Sequence, residues 1–271
     1  MDENTLPTMG PPPSKHRPDN ITTYKNVKGR ALKAHLFYPK GFNRSGSIPG
    51  YLFFHPGGWA MGEPEWGYDI CHHHSKLGVV AISLEYRLSS VGGDCPADAV
   101  SDAKSAIRWA REHSVELGID PGMVLAGGIS AGGHLAACTA MVSGFDDPDD
   151  NMNYSTVPQA LVLHTTPVNL AIDSHFIELL QGKAKPEDLS PFHNIKGGLP
   201  PMCMIQGTAD QIVPYDSVKT FSKKMQEAGN ECDLHTFEGA GHFSIHATDQ
   251  ARAIRVIDEF VMSIIKPLPP K

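Results

Sequence analysis

Residues 123–141 constrain the fold more than any other segment of this chain. An apolar run, Met123-Val124-Leu125-Ala126-Gly127, leads into Gly128-Ile129-Ser130-Ala131-Gly132 and then into a small-residue helical stretch that starts at Gly133. A strand feeding a tight turn feeding a helix holds the central serine at the tip of a strained bend, with its hydroxyl exposed and the next backbone amide close by. Glycine and alanine suit both sides of the turn, because strand and helix approach too closely there for larger side chains. The five-residue pattern is common by chance, and its flanks give it meaning.

Other segments extend the same alternation. Residues 51–55, 79–84, 160–164, 202–206 and 233–237 are short runs, several of them nearly continuous in apolar character, as strands covered on both faces are. Val100, Ala103, Ile107 and Ala110 recur at helical spacing after Pro96, and Val218, Phe221, Met225 and Ala228 repeat that spacing up to Gly229-Asn230. Ile254, Ile257, Val261 and Ile264 predict a last helix closed by Lys266-Pro267. Residues 22–27 and 32–38 read as a hairpin about Lys28-Gly29-Arg30. The expected class is α/β, with a mostly parallel central sheet, an N-terminal antiparallel hairpin, helices on both faces and no large cap domain. Residues 1–20, with five prolines, are expected to form a flexible arm before one catalytic domain over 21–271. Residues 59–75, 143–158 and 165–200 show no clear periodicity and are expected to build the rim or a small cap of a site.

Composition excludes several functions. The net charge of -7 and the lack of a basic cluster argue against nucleic-acid or anionic-membrane partners. No apolar stretch approaches the roughly 20 residues that a membrane helix needs. Five scattered cysteines, with no Cys-x-x-Cys pair, suggest neither a zinc site nor a disulfide framework. The N-terminus lacks the apolar core of a secretory leader, so the expected location is cytoplasmic by default, or secreted or periplasmic if a leader preceded residue 1.

A serine hydroxyl needs a base to act as a nucleophile at neutral pH, and a histidine in that role needs an orienting carboxylate. Gln206-Gly207-Thr208-Ala209-Asp210 follows one strand and Gly239-Ala240-Gly241-His242 follows the last, so Asp210 and His242 fall in successive loops at strand C-terminal ends. The order Ser130, Asp210, His242 is the chain order of triads on open α/β sheets, which build their sites at that edge. Glu238 and His246 are rivals; Glu238 is expected to face solvent, and His246 lacks the glycines that shape a catalytic loop. Attack on a carbonyl also requires backbone donors for the developing oxyanion. His55-Pro56-Gly57-Gly58-Trp59 closes an early strand, and since Pro56 has no amide hydrogen, Gly57 and Gly58 are the expected donors together with Ala131.

With these segments in place, the chain resembles α/β-hydrolase carboxylesterases, the group of hormone-sensitive-lipase-like esterases, acetyl-xylan-type esterases and kynurenine formamidases. The resemblance rests on His55-Pro56-Gly57-Gly58-Trp59, Glu85-Tyr86-Arg87-Leu88, Pro96-Ala97-Asp98-Ala99 with Trp109, the Ser130 turn, Gly207-Thr208-Ala209-Asp210 and Gly241-His242. It implies the α/β-hydrolase fold, ester hydrolysis without a cofactor or metal, and a structural role for Arg87 in tying loops. Pro56 and Ile129 depart from the lipase-like pattern, which points to small esterases acting on short-chain (acetyl to butyryl) esters, including acetylated sugars.

An amidase of the same fold, kynurenine-formamidase-like or prolyl-oligopeptidase-like, is the alternative, since the Asp210 segment is shared with such peptidases. A silent binding fold would lack a triad residue or a turn glycine, and none is missing. The expected partner is a small-molecule or carbohydrate ester; oligomeric state is left open. Trp59, Trp66 and Tyr68 either line a substrate pocket or pack the rim. His72-His73-His74 point in different directions on one helix and are not expected to share an ion. Asp146-Asp147-Pro148-Asp149-Asp150 reads as a solvated loop rather than a Ca²⁺ site.

Overall fold

The computed structural model describes residue 11, residues 13–243 and residues 245–265, without the side chains of residues 245–248. Lys266-Pro267, most of the N-terminal arm (1–10 and 12) and the His246 side chain therefore lie outside the described residues.

The strands are β1 (Asn20–Val27), β2 (Arg30–Phe37), β3 (Ile48–Phe54), β4 (Val80–Leu84), β5 (Ile119–Ile129), β6 (Leu161–His164), β7 (Met202–Gly207) and β8 (Cys232–Phe237). They form one sheet in the order β1-β2-β4-β3-β5-β6-β7-β8. The β1–β2 and β2–β4 pairs are antiparallel, and every pair from β4 to β8 is parallel. Lys28 (φ 51°) and Gly29 (φ 77°) form the two-residue turn between β1 and β2, where two positive φ values match the twist of the strands. β4, β6 and β7 are buried along their whole length, which is why they appear in the sequence as unbroken apolar runs.

Helices cover both faces: α1 (Tyr68–Lys76), α2 (Pro96–Glu112), α3 (Ser114–Leu117), α4 (Ala131–Met141), α5 (Ser174–Leu180), α6 (Pro186–Leu189), α7 (Tyr215–Glu227) and α8 (Ile245–Ile265), the last broken by a kink at Asp249. β3 alternates between the two cores. Leu52 and Phe54 join the core under α2, α4 and α7, whereas Tyr51 and Phe53 join the one under α1 and α8. Every residue of α4 is buried, so its small side chains let it wedge between α2 and the sheet. All five cysteines are buried and free, spread over α1, the start of α2, α4, β7 and β8.

Three expectations change. Residues 59–75 and 165–200 are not irregular: the first holds most of α1, the second α5 and α6. α1 escapes a search for apolar periodicity because it buries His74 and Ser75 beside Tyr68 and Cys71. α5 and α6 have 7 and 4 residues, too few for a repeat of about 3.6 to show. The 146–150 loop is pinned by cations rather than solvated. Lys25 Nζ lies 2.7 Å from Asp147, Lys104 Nζ 2.9 Å from Asp146, and Arg108 2.6 Å from Asp146 and 3.0 Å from Asp150. Of the arm, Ser14 hydrogen-bonds Asp69 on α1 and the His16 ring stacks on His72 at 3.6 Å. Arg87 bonds Asp98 and, through Nε and Nη2, Asp102, both on α2, and so ties the loop after β4 to that helix. Among the described residues, no helix is long and apolar enough to cross a membrane.

Candidate active site

Ser130 occupies the bend between β5 and α4 with φ 53° and ψ -122°. A non-glycine residue in such a conformation costs about 1–3 kcal/mol and persists only where its surroundings fix it. The fixing contacts are clear. The Ser130 amide donates to the His164 carbonyl on β6 at 2.9 Å, and the Ser130 carbonyl accepts the His134 amide at 3.0 Å. A Cβ on Gly132 would collide with the Phe54 carbonyl, and one on Gly128 with the Gly132 carbonyl, so only glycine permits this approach of α4 to β3. That contact also sets the loop after β3 beside the serine.

The loops after β7 and β8 emerge at the same edge of the sheet as the Ser130 bend. There His242 Nδ1 lies 2.8 Å from Asp210 Oδ2, both side chains nearly inaccessible. The other oxygen of Asp210 accepts the amides of Ile212 and Val213, each at 2.9 Å, and Oδ2 also accepts Gln206 Nε2 at 2.9 Å. Burial pushes the Asp210 carboxyl up, but the His242 hydrogen bond and the two amides outweigh it and hold the group below its ordinary value. With Asp210 an acceptor, Nδ1 of His242 carries the hydrogen and Nε2 is left to receive a proton. Glu238 accepts the Thr208 hydroxyl at 3.2 Å in an exposed position.

Gly57 (φ 137°), Gly58 (φ 56°) and Trp59 (φ 60°) are three consecutive positive-φ residues after β3. A Cβ on Gly57 would strike the Met61 carbonyl. Gly57's own carbonyl accepts the amides of Ala60 and Met61, and among the described residues the amides of Gly57, Gly58 and Ala131 have no hydrogen-bond partner. His55 and Tyr86 support this loop: the Tyr86 hydroxyl donates to the His55 carbonyl at 2.9 Å, with the two rings stacked at 4.2 Å. Burial pushes the His55 imidazole down to about 4, although its bond to the Pro56 carbonyl acts the other way.

The three aromatic candidates separate. Trp59 is buried against His134 and Phe176, and Tyr68 is spent on β2, its hydroxyl 2.6 Å from His35 and its ring edge-on to Phe37. Trp66 lies half-buried and edge-on to His55. Sequence reasoning missed Gln206, His134 and His175. Gln206 sits inside an apolar strand, where an amide had to have a partner. His134 is four residues after Ser130 on the same helix. The exposed His175 of α5 brings Nε2 to 3.5 Å from where a Cβ on Gly58 would stand, a proximity that no sequence signal encodes.

A parallel sheet carrying a serine bend, an acid and an imidazole at the C-terminal ends of β5, β7 and β8 is the α/β-hydrolase architecture. Residues 35–225 match the BD-FAE family, and the chain belongs to that family. The apo form of Thermogutta terrifontis esterase 2 is 36% identical with a TM-score of 0.86, over 93% of this chain and 96% of that one. The same esterase phosphonylated by sarin superposes with a TM-score of 0.87 at 35% identity, again over 93% and 96% of the two chains. A probable isoprenylcysteine alpha-carbonyl methylesterase of Arabidopsis thaliana is 26% identical over 252 residues, 85% of this chain and 52% of that protein. The chain thus spans about half the length of the curated relatives it matches.

Proposed function

We propose that residues 21–271 act as one catalytic domain, a serine carboxylesterase that hydrolyses short-chain esters, acetyl to butyryl, through an acyl-enzyme. The Ser130 hydroxyl attacks the ester carbonyl while His242 Nε2 takes its proton. The amides of Gly57, Gly58 and Ala131 receive the oxyanion. His242 then passes the proton to the leaving alcohol, and afterwards activates the water that releases the acid. Asp210 keeps Nδ1–H directed inward and compensates the imidazolium while it exists. The observation that carries this reading is the 2.8 Å His242–Asp210 pair at the same sheet edge as a serine in a strained bend. Forms of the Thermogutta esterase with propionate and with butyrate bound support short acyl groups.

Ser130→Ala is expected to leave the circular dichroism spectrum unchanged and to reduce kcat for p-nitrophenyl acetate by about 10³-fold or more. Retained turnover would overturn the assignment. A series from acetate to laurate tests the acyl preference, with faster laurate cleavage contradicting it. Acetylated xylan, N-formylkynurenine and a dipeptide anilide beside the acetate ester separate sugar deacetylation and amidase activity from simple ester cleavage.

A further inference from the structure

Trp59 is the one non-glycine member of the positive-φ run that presents the candidate oxyanion amides, and its indole N–H donates to His134 Nδ1 at 3.0 Å in a buried contact. An indole can only donate, so this bond fixes His134 as the tautomer that carries hydrogen on Nε2. Nε2 in turn faces the Leu189 carbonyl at 2.8 Å, with Cys138 Sγ 3.0 Å away. Leu189 closes α6 in the 165–200 insert. The main chain of His134 bonds the Ser130 carbonyl. One side chain therefore joins three parts of the site: the helix that carries the serine, the loop that carries Gly57 and Gly58, and the insert above them.

Resting on the proposed esterase reading, we infer that His134 is a positioning residue that holds the oxyanion amides in place through Trp59. Trp59 is held at two points. Its carbonyl accepts the Ser89 amide at 2.8 Å, and its ring is gripped between His134 and Phe176 at centroid distances of 5.4 and 4.8 Å. Positive φ is disfavoured for so bulky a residue. Without the His134 bond, only the Ser89 amide and the packing of the ring oppose relaxation of its backbone to negative φ. That rotation turns the Gly58–Trp59 peptide and drags the preceding amides off the oxyanion. Substrate binding does not use those amides fully until the carbonyl becomes tetrahedral, so the loss falls on turnover rather than on affinity. Burial pushes the His134 imidazole down to about 4, despite the Leu189 carbonyl acting the other way, and the ring stays neutral and able to accept from Trp59 at neutral pH.

The test compares Trp59→Phe, which keeps the ring and removes the N–H, with His134→Leu, His134→Gln and the Trp59→Phe/His134→Leu pair. All are normalised to the sites that a fluorophosphonate titrates. Trp59→Phe and His134→Leu should each lower kcat for p-nitrophenyl acetate by about 10- to 100-fold with KM within about twofold. The double variant should be no slower than the worse single one, because both remove the same bond. His134→Gln, which can still accept and donate, should recover most of the rate. Either single variant with kcat within twofold of the parent overturns the inference, as does a loss confined to KM or a fully multiplicative double variant. If the parent hydrolyses the ester and is labelled at Ser130 while these variants behave normally, only the positioning role fails. A parent that is not labelled at Ser130 removes the esterase reading and this inference with it.

Discussion

Two buried aspartates show how differently the same group is used. Asp102 on α2 is wholly inaccessible and surrounded by permanent cations: Arg87 through Nε and Nη2, each at 2.8 Å, and Lys25 Nζ at 2.8 Å. Asp210 has four neutral donors instead, namely Gln206, the amides of Ile212 and Val213, and the His242 ring. A carboxylate matched by fixed cations has no charge left to offer, and Asp102 accordingly works as a rivet between β1, α2 and the loop after β4. A carboxylate matched by dipoles keeps its charge uncompensated until a proton arrives on its one titratable partner. That reserve is what His242, the proposed general base, needs behind it.

Exchanging the charge for an amide should separate the two. Asp210→Asn forces the wrong tautomer on His242, and kcat is expected to fall by about 10⁴-fold with little change in the melting temperature. Asp102→Asn should do the reverse, destabilising the fold by about 3 kcal/mol in urea denaturation while folded enzyme keeps near-parental kcat. A stable Asp102→Asn protein, or one that folds but does not turn over, would erase the distinction. Each neutral imidazole gives an effect of similar size on stability. Burial pushes His55, His74 and His134 down to about 4. Below pH 6.5 the unfolded chain takes up protons that the folded chain refuses until about 4. Stability should thus be complete above pH 6.5 and decline between 6.5 and 4, by about 3 kcal/mol per ring at most. Melting temperature against pH checks this, and a flat profile would mean that the rings are solvated. The smallest effect belongs to Gln206→Leu. Removing one donor makes Asp210 a stronger acceptor for the imidazole, so the acid limb of the kcat/KM profile should move to higher pH, with a fewfold loss at neutral pH. An unmoved limb would leave Gln206 with the structural task of holding the Val213 carbonyl.

The proposed chemistry at the strand ends was legible because it demands particular residue types: a serine between glycines, then an aspartate and a histidine in later loops at the same edge of the sheet. The parallel core was legible because strands such as β6 and β7 meet no water on either face. β5 hides its first turn of chain, since Asp120-Pro121-Gly122 reads as a break, yet Ile119 still pairs with Ile48. The acidic 146–150 segment looked solvated because its cations, Lys25, Lys104 and Arg108, are distant in sequence. Gln206 and His134 carry only weak local signals, an amide inside an apolar strand and a histidine one helical turn after Ser130. A strand amide and a helix histidine become meaningful only when tertiary structure supplies Asp210 for one and Trp59 for the other.

The burial of all five thiols gives the protein a built-in clock for opening. A thiol is alkylated as its thiolate, and burial holds Cys71, Cys138 and Cys203 above their ordinary range. An alkylating reagent in solution therefore records how often each part of the native chain exposes itself rather than what its surface displays. The five reporters sit on α1, before α2, on α4 and on two neighbouring strands. Cys95 borders an open groove of about 360 Å³ between α2 and the 145–148 loop. Their relative labelling rates amount to a map of local stability drawn without adding a single probe.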